Sequence, residues 1–292
     1  MSERIEQRAL ADIQAAASNE AAEQPDPIPD ADLENWAFWS RLVPELAKPI
    51  AVQKTPAVKI SASALEAASR SMEIDGFLQM GPVFTPVEIN PIRDAILKLQ
   101  SVGLAPVYIY VFEHPWFLFQ RLQPLISHFL GDQFLLLPNC WAWHIPAIEG
   151  ASGWPRHRDC DGQTRFESPD GGQTLISLSL WVPLTDAGVE NGCMHVLPRS
   201  QETSSDEGVA LPATAGSVLG WAQDLFHWSG QVQANASGPR ISLSLEFQNT
   251  AFAPMAQPLL DIATPPPFAE RLALVRQQFP KYQHLEDPVG SL

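Results

Sequence analysis

The chain has 292 residues, 45% of them apolar, and a formal net charge of -15. That length and composition are enough for a full hydrophobic core, so disorder is not the default state. No run of Lys and Arg occurs anywhere, which excludes a groove for the phosphate backbone of nucleic acid and adhesion to an anionic membrane surface.

Residues 1–30 are rich in Ala, Glu, Gln and Pro and are expected to form a flexible arm, because such a composition buries little surface. They lack the apolar stretch with basic flanks of a secretory leader, and no apolar run reaches the ~18 residues of a membrane span. Asp30 to Lys48 has helical spacing of Leu33, Trp36, Trp39 and Val43, and Pro44 is expected to bend or end that helix. A second helix fits Ser61 to Gly76, with serine at its start and glycine as its stop. "GFLQMG" then reads as a short strand. Thr85 to Gly103 and His114 to Gly131 read as amphipathic helices, separated by "PVYIYVF", a β-branched and aromatic run suited to a strand.

From Phe134 the pattern changes to short apolar runs broken by Gly, Pro, Asn and Asp: "FLLLPNCWAWHIP", "QTLISLSLWVPLTD", "GCMHVLP", "AGSVLGWA", "LFHWSGQV" and "PRISLSLEFQN". Closely spaced strands with tight turns predict a β-sandwich or jelly roll. "PPPFAERLALVRQQFPKY" predicts a closing helix. No linker separates the parts, so 31–292 is expected to be one domain. Its helical front covers about 31–132, its β core about 133–250 and its closing helical segment about 251–292. The fold class is thus mostly β with flanking helices.

"GWPRHRDCDGQ" carries the chemistry. On an extended segment residues i and i+2 share a side, so His157 and Asp159 can converge while Arg158 points away. Together they are two parts of a two-histidine, one-carboxylate iron site. His144, His195, His227 and His284 are the candidates for the second histidine. His284 lies in a polar tail, and His195 sits beside the Asn191-Gly192 turn. His227 is followed by Arg240, which opens an alternating apolar strand where an inward guanidinium needs a partner. No lysine lies between Lys98 and Lys281. A bidentate carboxylate from a co-substrate would give Arg240 that partner.

The order "HRD", "SLWVPLTDAGVENGCMHVLPRSQ", "GSVLGWAQDLFHWSG" and "PRISL" resembles the phytanoyl-CoA dioxygenase-like family of iron(II)/2-oxoglutarate-dependent oxygenases, over about residues 76–249. Gln201 and Arg199 stand where many members have histidine and glycine. The resemblance implies a double-stranded β-helix core, a cupin-like jelly roll, buttressed by the N-terminal and C-terminal helices. It also implies His157, Asp159 and His227 as catalytic iron ligands, and Arg240 and Ser229 as contacts of the distal carboxylate of 2-oxoglutarate. Trp181 matches an aromatic position near that co-substrate.

The activity so implied consumes dioxygen and 2-oxoglutarate, releases succinate and carbon dioxide, and hydroxylates or otherwise oxidises a small organic molecule. The carboxylate of Asp159 favours this over halogenation, since related halogenases replace it with a small residue. Trp141, Trp143 and His144 are expected to line the substrate pocket, and the Gly-rich loop Cys160 to Gln173 to act as a lid. A non-catalytic jelly-roll binding protein and a metal-dependent cupin enzyme without 2-oxoglutarate are the alternatives. Three scattered cysteines, Cys140, Cys160 and Cys193, with no Cys-x-x-Cys pair, suggest a reducing cytoplasm.

Overall fold

The computed structural model describes residues 28–48, 56–167, 173–201 and 207–282. The expected N-terminal arm lies almost wholly outside them, as do His284 and residues 168–172 of the expected lid.

The front of the chain is helical. Helices α1 (Asp30–Leu33) and α2 (Trp36–Leu42) replace the single expected helix, because the Asn35 side chain accepts from Ala37 N at 2.9 Å and restarts it. Helix α3 (Ala62–Asp75) is capped by Ser61 and stopped by Gly76 at φ +83°. Strand β1 (Phe77–Met80) follows, then α4 (Pro86–Ser101), opened by a capping box of Thr85 and Glu88.

Two expectations need correction in this region. "PVYIYV" forms a 3-10 turn (Pro106–Val111), not a strand. It lies among α4, strand β2 (Phe134–Ile145) and helix α7 (Phe268–Arg276), and Val107 to Val111 are all buried. With no solvated face to alternate against, the backbone is satisfied by its own i→i+3 bonds. The helix expected over His114 to Gly131 is two helices, α5 (His114–Gln120) and α6 (Gln123–Leu130). In one continuous helix Pro124 would collide with the carbonyl of Gln120, so the chain breaks at Arg121 and restarts with the proline in its first turn.

The β core has two facing sheets. The larger runs in the order β1, β8 (Val218–Ala222), β5 (Ser177–Pro183), β10 (Arg240–Asn249), β2, with every pair antiparallel. The smaller runs β7 (Val209–Leu211), β6 (Met194–Val196), β9 (His227–Ser229). A ribbon of β3 (Arg165–Glu167) and β4 (Gln173–Leu175) stands apart, and α8 (Phe279–Tyr282) closes the chain. This is the double-stranded β-helix type of fold, with N- and C-terminal helices flanking the sheets.

Strand alternation sorts the large sheet into two faces. Leu178, Leu180, Val182, Ile241, Leu243, Leu245 and Phe247 join the helices in the main core, while Trp181, Leu219 and Trp221 meet Met194, Val196 and Leu211 of the small sheet. Because both faces are covered, β5 is buried throughout, and β10 is buried from Arg240 to Gln248. Polar residues on the inner face are therefore sealed between the sheets, where they form a site.

Candidate functional site

Two backbone bonds bring together segments 70 positions apart in sequence. His157 N donates to His227 O at 3.1 Å and His227 N to His157 O at 3.0 Å, an isolated antiparallel bridge at the start of β9. The two imidazoles lie 4.3 Å apart between centroids. Each is oriented in the same way. His157 Nδ1 lies 2.8 Å from Pro155 O and His227 Nδ1 3.0 Å from Leu225 O. A carbonyl only accepts, so both Nδ1 atoms carry the proton and both Nε2 atoms keep a lone pair.

Those lone pairs face Asp159 Oδ1, 3.5 Å from each Nε2. The other oxygen, Oδ2, accepts from Ser179 Oγ at 2.7 Å and from Trp221 Nε1 at 3.3 Å. The backbone of Asp159 is open to solvent, whereas its side chain is sunk to 16% exposure. Burial alone would raise its pKa, but His227, His157 and the Ser179 hydroxyl hold the carboxyl well below its usual range. Burial likewise opposes protonation of His227, and the facing carboxylate overcomes it, so that imidazole sits above its usual value.

At one end of the same cavity lies Arg240, 1% exposed. Its Nη2 donates to Ser229 Oγ at 2.6 Å, its guanidinium stands 5.7 Å from the centre of the Trp181 ring, and its Nε has no partner. No carboxylate pairs with it among the described residues. Burial depresses it to about 10. A buried guanidinium is costly unless an anion answers it.

The cavity has a volume of about 270 Å3. Trp141, Trp143, Trp181 and Ser229 line it, together with the triad and Arg240. His144 does not. It stands one residue out of phase with Trp141 and Trp143 on β2, so its ring leaves by the opposite face of the sheet, a correction to the expected pocket wall. His195 stacks on Trp228 at 5.6 Å and is not part of the cluster. Arg158 lies with its guanidinium over Phe226 at 3.8 Å and also lines the cavity. A larger hollow of about 950 Å3 opens between α2 and α4, far from this chemistry.

Sequence reasoning missed Ser179, Gln223, Asn139 and Glu246. Gln223 Nε2 reaches Glu246 Oε2 at 2.8 Å and Ser179 Oγ at 3.4 Å, so a single amide bridges the surroundings of Asp159 to a second buried carboxylate. The signal was present in "RISLSLEF". If Arg240 faces inward, so do Ser242, Ser244 and Glu246, two, four and six residues on. The described start of the expected lid is tied down: Thr164 Oγ1 donates to Asp224 Oδ1 at 2.6 Å, and Arg199 pairs with the same carboxylate.

His157, Asp159 and His227 offer two neutral imidazole nitrogens and one carboxylate oxygen, all within 4.8 Å of one another, the one such cluster among the described residues. This donor set suits ferrous iron and leaves coordination positions free. The family model "Phytanoyl-CoA dioxygenase (PhyH)" matches residues 100–241. No curated protein sequence matches the chain.

Among solved structures, AviO1 from Streptomyces viridochromogenes Tue57 is 21% identical with a TM-score of 0.51, over 67% of this chain and 99% of that one. A non-heme monooxygenase, ThoJ in complex with Ni, is 18% identical with a TM-score of 0.53, over 74% and 97%. EvdMO1 is 22% identical with a TM-score of 0.52, over 64% and 50%. At these identities the likeness speaks to the fold, and the family rests on the matched model together with the geometry of the three ligand residues. Over residues 100–241 the chain matches the phytanoyl-CoA dioxygenase (PhyH) family, and it carries the two-histidine, one-carboxylate triad of PhyH-like non-heme iron(II)/2-oxoglutarate oxygenases.

Proposed function

We infer that the protein is an iron(II)/2-oxoglutarate-dependent oxygenase that oxidises a small organic molecule. The observation that carries this reading is Arg240, a buried guanidinium with no anionic partner, in the same cavity as the triad. A cupin enzyme without 2-oxoglutarate leaves that charge unexplained.

In this reading His157, Asp159 and His227 hold the iron. Arg240 and Ser229 receive the distal carboxylate of 2-oxoglutarate, and Trp181 flanks it. When bound, iron and 2-oxoglutarate activate dioxygen for substrate oxidation, with succinate and carbon dioxide released. The protein contributes position and exclusion of water. The Nδ1–H bonds to Pro155 and Leu225 fix the ring tautomers, Ser179 and Trp221 fix the carboxylate, and the indoles keep the cavity apolar.

Residues 31–292 act as a single oxygenase domain. Three free cysteines, two of them buried, fit a reducing cytoplasm, and no helix among the described residues is long and apolar enough to cross a membrane. The acidic charge disfavours nucleic acid and anionic lipid as partners.

Anaerobic loading with iron(II) and 2-oxoglutarate tests the reading. The visible absorption of the chelate is expected, followed by succinate release on admitting oxygen. Neither would appear if the site used a different co-substrate.

A further inference from the structure

Arg240 is not the only uncompensated charge in the cavity. Glu246 is 5% exposed, lines the same space and makes no ion pair among the described residues. Its neighbours are neutral donors: Trp141 Nε1 to Oε1 at 2.9 Å, Asn139 Nδ2 to Oε2 at 2.7 Å and Gln223 Nε2 to Oε2 at 2.8 Å. Each carboxylate oxygen accepts two bonds, so Oε2 is full and Oε1 has room for one more.

The register builds this pocket deliberately. Between Leu245 and Phe247 on β10, β2 advances from Cys140 to Leu136, two residues more than its partner. Pro138, which has no N–H to give a ladder, sits in that bulge. Asn139 and Trp141, two residues apart on β2, share a face, so both reach the same carboxylate. Arg240 cannot neutralise Glu246, because six residues of one strand separate them by roughly 20 Å.

Three indoles share the cavity with the free oxygen. Trp141 and Trp154 lie 5.1 Å apart between centroids, and Trp143 lies 6.5 Å from Trp154. The chain already shows what this wall attracts: Lys281 Nζ, at the rim, stands 5.3 Å from the centre of the Trp141 ring while donating to Asn139 Oδ1. Burial, reinforced by the charge of Asp159, pushes the Glu246 carboxyl up to about 7, against the bonds from Trp141 and Asn139 and the charge of Lys281.

We propose that Glu246 is the substrate-recognition carboxylate of this enzyme, and that the substrate is an organic amine whose ammonium group donates to Glu246 Oε1 against the indoles of Trp141 and Trp154. This rests on the functional reading above and deepens it. Once 2-oxoglutarate answers Arg240, Glu246 remains a carboxylate without an ion pair among the described residues, with Lys281 and Arg158 elsewhere on the cavity wall, and an ammonium ion answers it with one charge-assisted bond and one cation–π face. Gln223 links Glu246 to Ser179, which in turn donates to Asp159, so an amine held at Glu246 occupies the same cavity as the triad.

The test titrates cyclohexylmethylammonium and its neutral analogue cyclohexylmethanol against the fluorescence of the cavity tryptophans. Both the metal-free protein and the anaerobic iron(II)/2-oxoglutarate complex are used. The ammonium ion is expected to bind roughly tenfold or more tightly than the alcohol. Glu246→Gln removes that preference, and Lys281→Met, which clears the competing ammonium from Trp141, strengthens it. Equal binding of the two probes in the native protein overturns the proposal, as does a preference that Glu246→Gln leaves intact. If Glu246→Gln does not fold, an ammonium affinity unmoved by Lys281→Met overturns it instead. The visible absorption of the 2-oxoglutarate chelate is recorded in parallel. Its absence alongside an intact amine preference sinks the oxygenase reading, and its presence without that preference sinks only the substrate class.

Discussion

Ser179 Oγ donates to Asp159 Oδ2 at 2.7 Å, and this bond decides which carboxylate oxygen faces the two imidazoles. The hydroxyl is itself aimed by Gln223 Nε2, 3.4 Å away. Without the hydroxyl, Asp159 keeps only the longer bond from Trp221 and is free to turn Oδ1 away from His157 and His227. Ser179→Ala is expected to weaken iron(II) binding by about tenfold to a hundredfold, the range for loss of a group supporting a ligand. Anaerobic calorimetry measures it. Succinate formation should fall at limiting iron and recover with excess iron, whereas Asp159→Ala should remain inactive at any concentration. An unchanged affinity in Ser179→Ala would show that Trp221 alone orients the carboxylate.

Arg240 invites a prediction with two opposite signs. Replacement by Met retains the apolar stem and removes a buried charge without an anionic partner, while Ser229 keeps its bond to Gly230 O at 3.1 Å. The ligand-free variant should therefore unfold at the same temperature as the native protein or higher. Binding of 2-oxoglutarate should fall at least about thirtyfold, the lower end of the cost of removing one member of a buried charge pair. Thermal melts separate the two effects: added 2-oxoglutarate raises Tm in the native protein and not in Arg240→Met. A destabilised variant with normal 2-oxoglutarate affinity would mean that the guanidinium serves the fold.

What the sequence disclosed and what it withheld follow from the range of the interactions involved. Caps and stops are local, so Ser61, Gly76, Thr85 and Pro44 marked their helix ends. The period-two alternation of "RISLSLEF" is local too and identifies an inward face. The convergence of His157 with His227 needed a bridge between distant segments, which spacing alone does not contain. It entered through the resemblance of the whole ordered block. Glu246 was overlooked although it shares the face of Arg240, because its partners Asn139, Trp141 and Gln223 come from two other segments that only the folded sheet brings beside it. His144 was misplaced by one residue of phase. "PVYIYV" misled because β-branched residues suit any position that is buried on all sides, and only the packing of α4, α7 and β2 around it decides its conformation.

Gly153 sets the space at the Arg240 end. A Cβ built there would lie 3.2 Å from Ser229 Cβ, 3.3 Å from Ser229 Oγ and 3.4 Å from Arg240 Nη2. These contacts are tight, and the atoms involved are held by their mutual bond and cannot retreat together. Gly153→Ala should raise the KM for 2-oxoglutarate several-fold. Gly153→Val, which projects two methyl groups into the same space, should raise it by more than tenfold, with iron affinity unaltered because the triad lies elsewhere in the cavity. Steady-state succinate kinetics with 2-oxoglutarate varied will show it. A KM unmoved by valine would place the distal carboxylate away from Ser229 and Arg240.

His114 gives the pH dependence a sign. It opens α5 half-buried beside the larger hollow that Glu88 and Arg121 also line, its Nδ1 has no partner, and burial lowers it to about 4 from 6.5. Above pH 6.5 the imidazole is neutral in both the folded and the unfolded chain, so it adds no slope. Between 6.5 and about 4 the unfolded chain takes up a proton that the folded chain refuses, and stability is lost as the pH falls. Below that window both forms are protonated and the loss stops growing. Glu88 contributes lower on the scale: despite the opposing effect of burial, Thr85 and Arg121 bond its carboxylate and hold it below its usual value. His114→Gln keeps a polar side chain at the helix start without the titration, so its Tm should decline less than that of the native protein from pH 6.5 to 4. Carboxylates titrate alike in both proteins and cancel in the difference, which leaves the imidazole as the source of any divergence. Melting curves that run parallel across this window would mean that solvent reaches His114 and protonates it in the folded state.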